Sequence, residues 1–438
     1  MRLAVFLLAA ALFAGHALAV ASEMRDGGRF GQVRFYNLAA GQRVLGLTMI
    51  VSDRGGWDAA SDTLAQHLVD TGQAVIGIDL RSFVDALKRD RDCSSVNGDF
   101  EVLSRQIEKD LPVRQFHPPT IVGLGAGAAV AYAAVAEVLP NTFAGGIGLD
   151  FASAENVGVK FCLPDDPSSE TPWVFAPSAS FAGSDALRKF LAAMPESRAI
   201  DPLPDRNAVV DEGFRLIPAL TASKLATKGL PIAEVPPRDG AAGARPLVVF
   251  YSGDGGWRDI DKQIGGYMAA QGFFVIGFDS LRYLWREKDP ATMAADLDSV
   301  VRLYADQKKG QGVVLVGYSF GADILPFIYN RMAPDTKNQV KLISLLGIAT
   351  HASFEIRIEG ILGANNTDGP ATLPELLKIR GAPVQCIYGT DEDETVCKAK
   401  ELDRVVDRVD IAGDHHFDGD YRRVADTIME AAELRSGK

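Results

Sequence analysis

The sequence has few residues that bind transition metals, and none of the spacings that group them. Its 438 residues include four cysteines and six histidines, with no C-x-x-C or H-x-x-x-H pair, so a zinc site is the weaker interpretation of the cysteines. Positive charge is also in deficit, because 45 Lys and Arg oppose 57 Asp and Glu. The resulting net charge of −12 repels phosphate backbones, so we expect no nucleic-acid partner, whereas a cationic substrate is tolerated.

Long hydrophobic runs are missing beyond the N-terminus, and the run found there is short. Arg2 precedes an uncharged stretch from Leu3 to Ala14, which is too short to span a bilayer comfortably. Ala17-Leu-Ala19 is a small-x-small site, so we expect a signal peptide of residues 1–19 cut after Ala19, with Ala21 as a second site. The alternative is an uncleaved anchor. Since no cysteine follows the cleavage site, a lipoprotein is disfavoured, and the mature protein is expected outside the cytoplasm.

An internal duplication organises the chain. Residues 49–79 and 249–279 share nine identical positions of 31 at a constant separation of 200, among them a Gly-Gly-Trp loop. That period is too long for a solenoid repeat and indicates two copies of one domain. We therefore predict a first domain at 20–222, a linker at 223–245 and a second domain at 246–438.

Strand and helix patterns alternate in each copy, which predicts mainly parallel sheets covered by helices on both faces. In the second copy, strands are predicted at 246–251, 273–278, 312–316, 342–347, 383–388 and 407–412, with helices at 259–271, 293–307 and from about Gly321. An even number of cysteines in an exported protein favours disulfides. Four cysteines allow three connectivities, and we favour Cys93–Cys162 and Cys386–Cys397, which pair cysteines within one copy.

A nucleophile motif follows an apolar strand of the second copy. Gly317-Tyr-Ser319-Phe-Gly321 has the G-x-S-x-G form, between a strand and a helix, that presents a serine hydroxyl above a sheet edge. The backbone N–H of Phe320 then faces a developing oxyanion. The alternative to a nucleophile is a glycine-rich turn with a purely structural role. The first copy fits that alternative, because Gly125 stands at the serine position, so we expect the first copy to be inactive.

The acid and base of a serine hydrolase follow the nucleophile in the order that the motif requires. Asp391 and Asp393 lie on an acidic loop after a late strand, with Glu392 and Glu394 beside them, and either aspartate is the predicted acid. His415 and His416 follow the next strand; His415 is the favoured base and His416 the alternate. The disulfide Cys386–Cys397 brackets the acid loop and is expected to fix it.

A glycine-rich loop after the first strand of the second copy is the expected source of the second oxyanion donor. It reads Ser252-Gly-Asp254-Gly255-Gly256-Trp257, and its glycines let backbone N–H groups approach a substrate. Asp254 either faces a cationic group on the substrate or bonds its own backbone. The segment 353–363 alternates apolar and charged residues and is interpreted as an edge strand and loop, or as a lid that contacts the membrane.

The motifs SGDGGW, GYSFGAD, IYGTDEDETVC and HHFDGDY together resemble the VirJ/AcvB family of bacterial periplasmic proteins. The resemblance implies two tandem α/β-hydrolase-like domains, the first without catalytic residues, as in the longer AcvB-like members. It also implies a periplasmic serine esterase that cleaves aminoacyl-phosphatidylglycerol, such as lysyl-phosphatidylglycerol, at the membrane surface without cofactor or metal. The rival hypotheses are a non-catalytic partner of secretion-system proteins and an esterase of a soluble substrate.

Overall fold

The computed structural model describes residues 22–90, 92–136, 141–152, 157–163, 171–194, 197–201, 203–220, 230–237, 245–304, 311–357 and 369–436. The predicted signal peptide and its cleavage sites lie outside these residues. Of the helices in the described ranges, none combines the length and the apolar character needed to cross a membrane.

Two sheets, one from each half of the chain, form the framework. The strands of the first sheet are β1 Glu23–Asp26, β2 Gln32–Tyr36, β3 Gly46–Val51, β4 Gln73–Ile78, β5 Thr120–Leu124, β6 Gly145–Phe151, β7 Trp173–Pro177 and β8 Ser197–Ala199. Those of the second are β9 Ile232–Val235, β10 Leu247–Tyr251, β11 Phe274–Phe278, β12 Val313–Tyr318, β13 Val340–Leu346, β14 Val384–Gly389 and β15 Asp407–Ile411.

Thirteen described helices cover the sheets. The first half has α1 Ala59–Asp70, α2 Leu80–Leu87, α3 Asn97–Asp110, α4 Ala126–Ala136, α5 Asp185–Ala193 and α6 Arg206–Leu220. The second has α7 Asp259–Ala270, α8 Ser280–Tyr283, α9 Pro290–Leu303, α10 Phe320–Arg331, α11 Pro334–Lys337, α12 Thr372–Leu376 and α13 Tyr421–Ser436. Helix α9 begins three residues before its predicted start, because Asp289 accepts the N–H groups of Ala291 and Thr292 and Pro290 fits the first turn.

The strand order is the same in both sheets. The first runs β1-β2-β4-β3-β5-β6-β7-β8 and the second β15-β14-β13-β12-β10-β11-β9, so seven strands correspond one to one and β1 is an addition. Among the seven corresponding strands of each sheet, β2 or β9 is antiparallel to its neighbour and the six others are parallel to one another; β1 adds an antiparallel edge beside β2. The expected tandem α/β-hydrolase-like architecture is confirmed, and the duplication extends beyond the 31 matched residues to the whole sheet.

Several of the identical residues build the same loop in both halves. The hydroxyl of Ser52 accepts the N–H of Leu80, and Ser252 accepts that of Ser280, at 3.0 and 2.9 Å. The Trp57 and Trp257 rings lie so close to Gly77 and Gly277 that a Cβ on either glycine would fall 2.4 or 2.3 Å from the indole. Glycine is therefore required where the tryptophan crosses the sheet.

The predicted linker contains a strand. β9 lies within residues 223–245 and pairs antiparallel with β11, as an edge strand of the second sheet. Pro231 and Pro236 flank it and suggested a linker, but proline is tolerated at the ends of an edge strand. Residues 221–229 and 238–244 of that segment are outside the described ranges.

Both disulfides join cysteines within one half. Cys93 bonds to Cys162 and Cys386 to Cys397, with Cα separations of 5.1 and 5.9 Å. These are the pairs that the sequence favours, and they suit an oxidising compartment. The described part of the 353–363 segment, residues 353–357, joins neither sheet: the Ile356 N–H donates to the Leu284 carbonyl, and the Phe354 ring contacts Phe327.

Candidate active site

Ser319 occupies a sharp turn between β12 and α10. Its backbone has φ 51° and ψ −121°, a region in which a residue other than glycine is strained by roughly 1–3 kcal/mol. Gly317 and Gly321 allow the turn, because a Cβ on either would fall 2.6 or 2.2 Å from a backbone carbonyl oxygen. The Ser319 N–H donates to the Leu346 carbonyl at 2.8 Å, which ties the turn to the neighbouring strand β13. This is the geometry expected of a nucleophile elbow.

The imidazole of His415 is held by Glu392. Nδ1 of His415 lies 2.7 Å from Oε1 of Glu392, and the glutamate side chain is only 11% exposed. The structure therefore places Glu392 at the imidazole in place of the predicted Asp391 or Asp393, both of which are exposed. Asp391 accepts a hydrogen bond from the Thr390 hydroxyl instead.

The acid loop is tied to the histidine loop through its backbone. The Thr390 N–H donates to the Ile411 carbonyl and the Asp391 N–H to the Gly413 carbonyl, at 2.8 and 2.9 Å. The Gly389 N–H donates to Oε2 of Glu392, so one carboxylate oxygen is fixed to β14 while the other meets the imidazole. The Cys386–Cys397 disulfide closes this loop at its base.

His415 is surrounded by negative charge. Burial lowers its pKa, but the hydrogen bond and charge of Glu392, with the charges of Asp323 and Asp254, outweigh burial, so the net pKa of His415 is raised. Burial raises the pKa of Asp323 to about 8, although its Oδ1 accepts the Ala349 N–H at 2.7 Å. A histidine in such surroundings is stabilised as the imidazolium that forms when it takes a proton from a serine.

Gly347 and Tyr318 set the position of the imidazole. Gly347 has φ +59°, and a Cβ there would lie 2.6 Å from Cε1 of His415. The Tyr318 ring lies 5.3 Å from the imidazole centroid, and its hydroxyl donates to the His415 carbonyl. His416 is exposed, which makes it the poorer candidate for the base. Within the described ranges no hydrogen bond joins Ser319 to His415; such bonds are often long before substrate binds.

The glycine-rich loop lies against the nucleophile. A Cβ built on Gly253 would be 3.7 Å from that of Ser319, which places this loop within van der Waals reach of the nucleophile. Asp261 accepts the Gly253 N–H, and the Gly253 carbonyl accepts that of Gly256. The N–H groups of Asp254 and Gly255 are therefore the loop's candidates to complement that of Phe320, in agreement with the expected oxyanion site.

The corresponding place in the first half is blocked. Gly125 keeps the elbow conformation, with φ +54°, but has no nucleophile. The Ala126 N–H, equivalent to that of Phe320, donates at 2.8 Å to Oδ1 of Asp53. In the second half the residue equivalent to Asp53 is Gly253, which has no carboxylate to accept the Phe320 N–H. The first half thus carries its own carboxylate where an oxyanion would bind.

No cluster of three or more His, Cys, Asp or Glu side chains suited to a metal ion is found among the described residues.

The two halves touch beside the glycine-rich loop. Arg258, at the end of that loop, reaches Glu101 and Thr142 of the first half, a contact that the sequence did not reveal.

Comparison with known proteins identifies the second half. Residues 246–436 match the family model described as "Bacterial virulence protein (VirJ)". No curated protein matches the sequence.

Solved structures similar to the chain are hydrolases in most cases. Est1E from Butyrivibrio proteoclasticus is 14% identical, with 49% of this chain and 98% of that chain covered and a TM-score of 0.36. Esterase 2 of Thermogutta terrifontis is 18% identical, with 45% of this chain and 88% of that chain covered and a TM-score of 0.33. MenH from S. aureus is 10% identical, with 47% of this chain and 98% of that chain covered and a TM-score of 0.35. The α/β-hydrolase fold rests on the strand order and the elbow, and residues 246–436 of the second half are similar to the VirJ family.

Proposed function

We propose that the protein is a periplasmic serine esterase whose nucleophile, base and acid are Ser319, His415 and Glu392. The observation that carries the proposal is the hydrogen bond that Nδ1–H of His415 donates to the largely buried Glu392 carboxylate, next to a serine held in a strained elbow. A bare G-x-S-x-G motif recurs by chance, and an imidazole oriented by an acid beside it adds the base and orienting group that nucleophilic catalysis requires.

The chemistry follows from this arrangement. Glu392 fixes the tautomer with the proton on Nδ1, which leaves Nε2 of His415 free to accept the proton of the Ser319 hydroxyl. The serine oxygen bonds to the ester carbonyl carbon, and the carbonyl oxygen becomes an oxyanion that the N–H groups of Phe320 and the glycine-rich loop stabilise. The imidazolium returns its proton to the departing alcohol oxygen. A water molecule then repeats the attack, so the acyl group leaves as a carboxylic acid and Ser319 regains its proton.

We infer that the substrate is an aminoacyl ester of phosphatidylglycerol, and two considerations support this choice. Family resemblance is the first. The second is the negative charge of Asp254 and Glu392, which acts on His415 and would also attract the ammonium group of an aminoacyl ester. That ammonium group withdraws electrons from the ester carbonyl, so a triad with an oxyanion site suffices for cleavage.

Liposomes that contain lysyl-phosphatidylglycerol test the proposal. The wild-type protein is expected to release free lysine and restore phosphatidylglycerol, as read by lipid mass, whereas Ser319→Ala loses a factor on the order of 10⁴–10⁶ in rate. Asp254→Asn is expected to raise KM for this cationic lipid and to leave KM for an uncharged p-nitrophenyl ester unchanged. Hydrolysis of the soluble ester without the lipid would support the rival soluble substrate. Hydrolysis of neither would favour the non-catalytic role.

A further inference from the structure

The contact between the halves is concentrated where the glycine-rich loop ends. Asn141 of the first half donates its side-chain N–H to the Trp257 carbonyl at 2.9 Å. Nη1 of Arg258 donates to the Thr142 hydroxyl at 2.7 Å and lies 2.9 Å from Oε1 of Glu101. Three first-half side chains therefore hold two consecutive residues of the loop that supplies the candidate oxyanion donors.

The duplicated copy shows what this loop does without such contacts. In the first half the residue at the Arg258 position is Asp58, which accepts the Ser61 N–H and caps α1. Arg258 makes no capping hydrogen bond to α7, and loss of such a cap costs roughly 0.5–2 kcal/mol. The next residue, Asp259, has φ +44°, outside the region that an aspartate prefers. The second half has thus replaced a helix cap with an arginine that crosses to the first half, and strain persists beside it.

The first-half side of the contact is also built rather than incidental. Asn141, whose amide reaches the Trp257 carbonyl, has φ +68°. Thr142 is buried, and the side chains of Glu101 and Arg258 are only 20% and 18% exposed. Glu101 is further paired with Arg105, whose guanidinium is almost wholly buried. Strained backbone and buried polar side chains persist where the surrounding structure determines them.

We propose that the first half positions the oxyanion loop of the second half, with Asn141 and Thr142 as positioning residues that act through the Trp257 carbonyl and Arg258. This inference rests on the proposed function, because it concerns the geometry of that catalytic site. It gives the half without a nucleophile a role in turnover. A displacement of about 1 Å in a catalytic group can lower the rate roughly 10²-fold, so modest loosening of the loop is enough to be measured.

Two substitutions remove the contacts of Asn141 and Thr142 and leave the Glu101–Arg258 ion pair in place. Asn141→Gly deletes the amide and suits the positive φ, and Thr142→Val deletes the hydroxyl at nearly constant volume. Thr142→Ser keeps the hydroxyl and is the rescue variant. Arg286→Ala is the matched control: Arg286 crosses the same interface and donates to the carbonyls of Lys109, Leu111 and Val113, away from the loop.

The test is the hydrolysis of a p-nitrophenyl ester by the full chain, with the labelling rate of Ser319 by a fluorophosphonate and the melting temperature measured in parallel. Asn141→Gly/Thr142→Val is expected to lower kcat and the labelling rate roughly 10- to 100-fold with little change in KM. Thr142→Ser and Arg286→Ala should keep the wild-type kcat per folded molecule. Wild-type kcat in the double variant, or an equal loss in Arg286→Ala, would overturn the inference. If the wild-type protein itself neither hydrolyses the ester nor reacts at Ser319, the proposed function fails first, and the two failures are thereby distinguished.

Discussion

The carboxylate of Glu392 controls both the orientation and the pKa of His415. Glu392→Gln keeps the size and a hydrogen-bonding oxygen but removes the negative charge, so the imidazolium formed in the reaction loses its main stabilisation. We expect kcat to fall by a factor on the order of 10³–10⁴. Because Glu392 raises the pKa of His415, its neutralisation should move the rising limb of kcat/KM to lower pH. The pH profile of ester hydrolysis measures both effects.

Asp391→Asn and Asp393→Asn are the controls, since both carboxylates are exposed on the same loop. They should leave kcat within a few-fold of the wild type. If either aspartate variant were as inactive as Glu392→Gln, the assignment of the acid to Glu392 would have to be withdrawn.

The two adjacent histidines differ in burial and in partners. His415 contacts Glu392 and Tyr318, whereas His416 is exposed and its backbone N–H donates to Asp414. His415→Ala should therefore match the serine variant, and His416→Ala should retain most of the activity. Steady-state kinetics of both variants compare them directly, and the opposite ranking would transfer the base to His416.

At the scale of elements, the tryptophan loop and the glycine beneath it form the same unit in both halves. Gly277→Ala would place a Cβ 2.3 Å from the Trp257 ring, and Gly77→Ala one 2.4 Å from the Trp57 ring. Such overpacking costs roughly 1–3 kcal/mol in either half. Only Gly277→Ala displaces a loop that borders Ser319, so it should lower kcat, whereas Gly77→Ala should lower the melting temperature alone. Equal kcat in the two variants would contradict the catalytic role of the second loop.

The two disulfides are expected to act on different properties. Cys386–Cys397, at a sequence separation of 11, closes the segment that carries Glu392, and the chain-entropy model gives such a loop roughly 3 kcal/mol of stabilisation. Cys397→Ser should lower turnover more than it lowers the melting temperature, because the acid is no longer held. Cys93–Cys162 spans 69 residues of the first half, so Cys93→Ser should lower stability and change turnover little. Thermal unfolding and kinetics of both variants are the measurement, and a larger loss of turnover in Cys93→Ser would contradict it.

Most elements of the second half could be predicted from the sequence, since buried parallel strands such as β10 and β12 are short apolar runs between helical patterns. β9 was missed because only Ile232 of its four residues is buried and prolines flank it. The acid could be located to one loop but not to one residue. Four consecutive acidic side chains share that loop, and only the backbone path decides which of them meets the imidazole.

At the scale of the whole molecule, the duplication was visible in the sequence, whereas the contact between the two halves was not. Asn141, Thr142 and Glu101 lie more than 100 residues from Arg258, and no local pattern marks them. The single signal was the change from Asp58 to Arg258 at an otherwise equivalent position, where a helix cap is replaced by a residue unsuited to capping. The halves also share apolar contacts, such as the Phe116 and Trp285 rings 4.9 Å apart, so the first half is part of the same folded body.

The central claim, that Ser319 is a nucleophile activated by His415 and Glu392, is tested most directly by reaction with a fluorophosphonate and peptide mass mapping of the adduct. The account predicts a single adduct on the peptide that contains Ser319 in the wild-type protein, with labelling abolished by His415→Ala and strongly slowed by Glu392→Gln. An adduct on another serine, or equal labelling rates in the wild type and both variants, would contradict it.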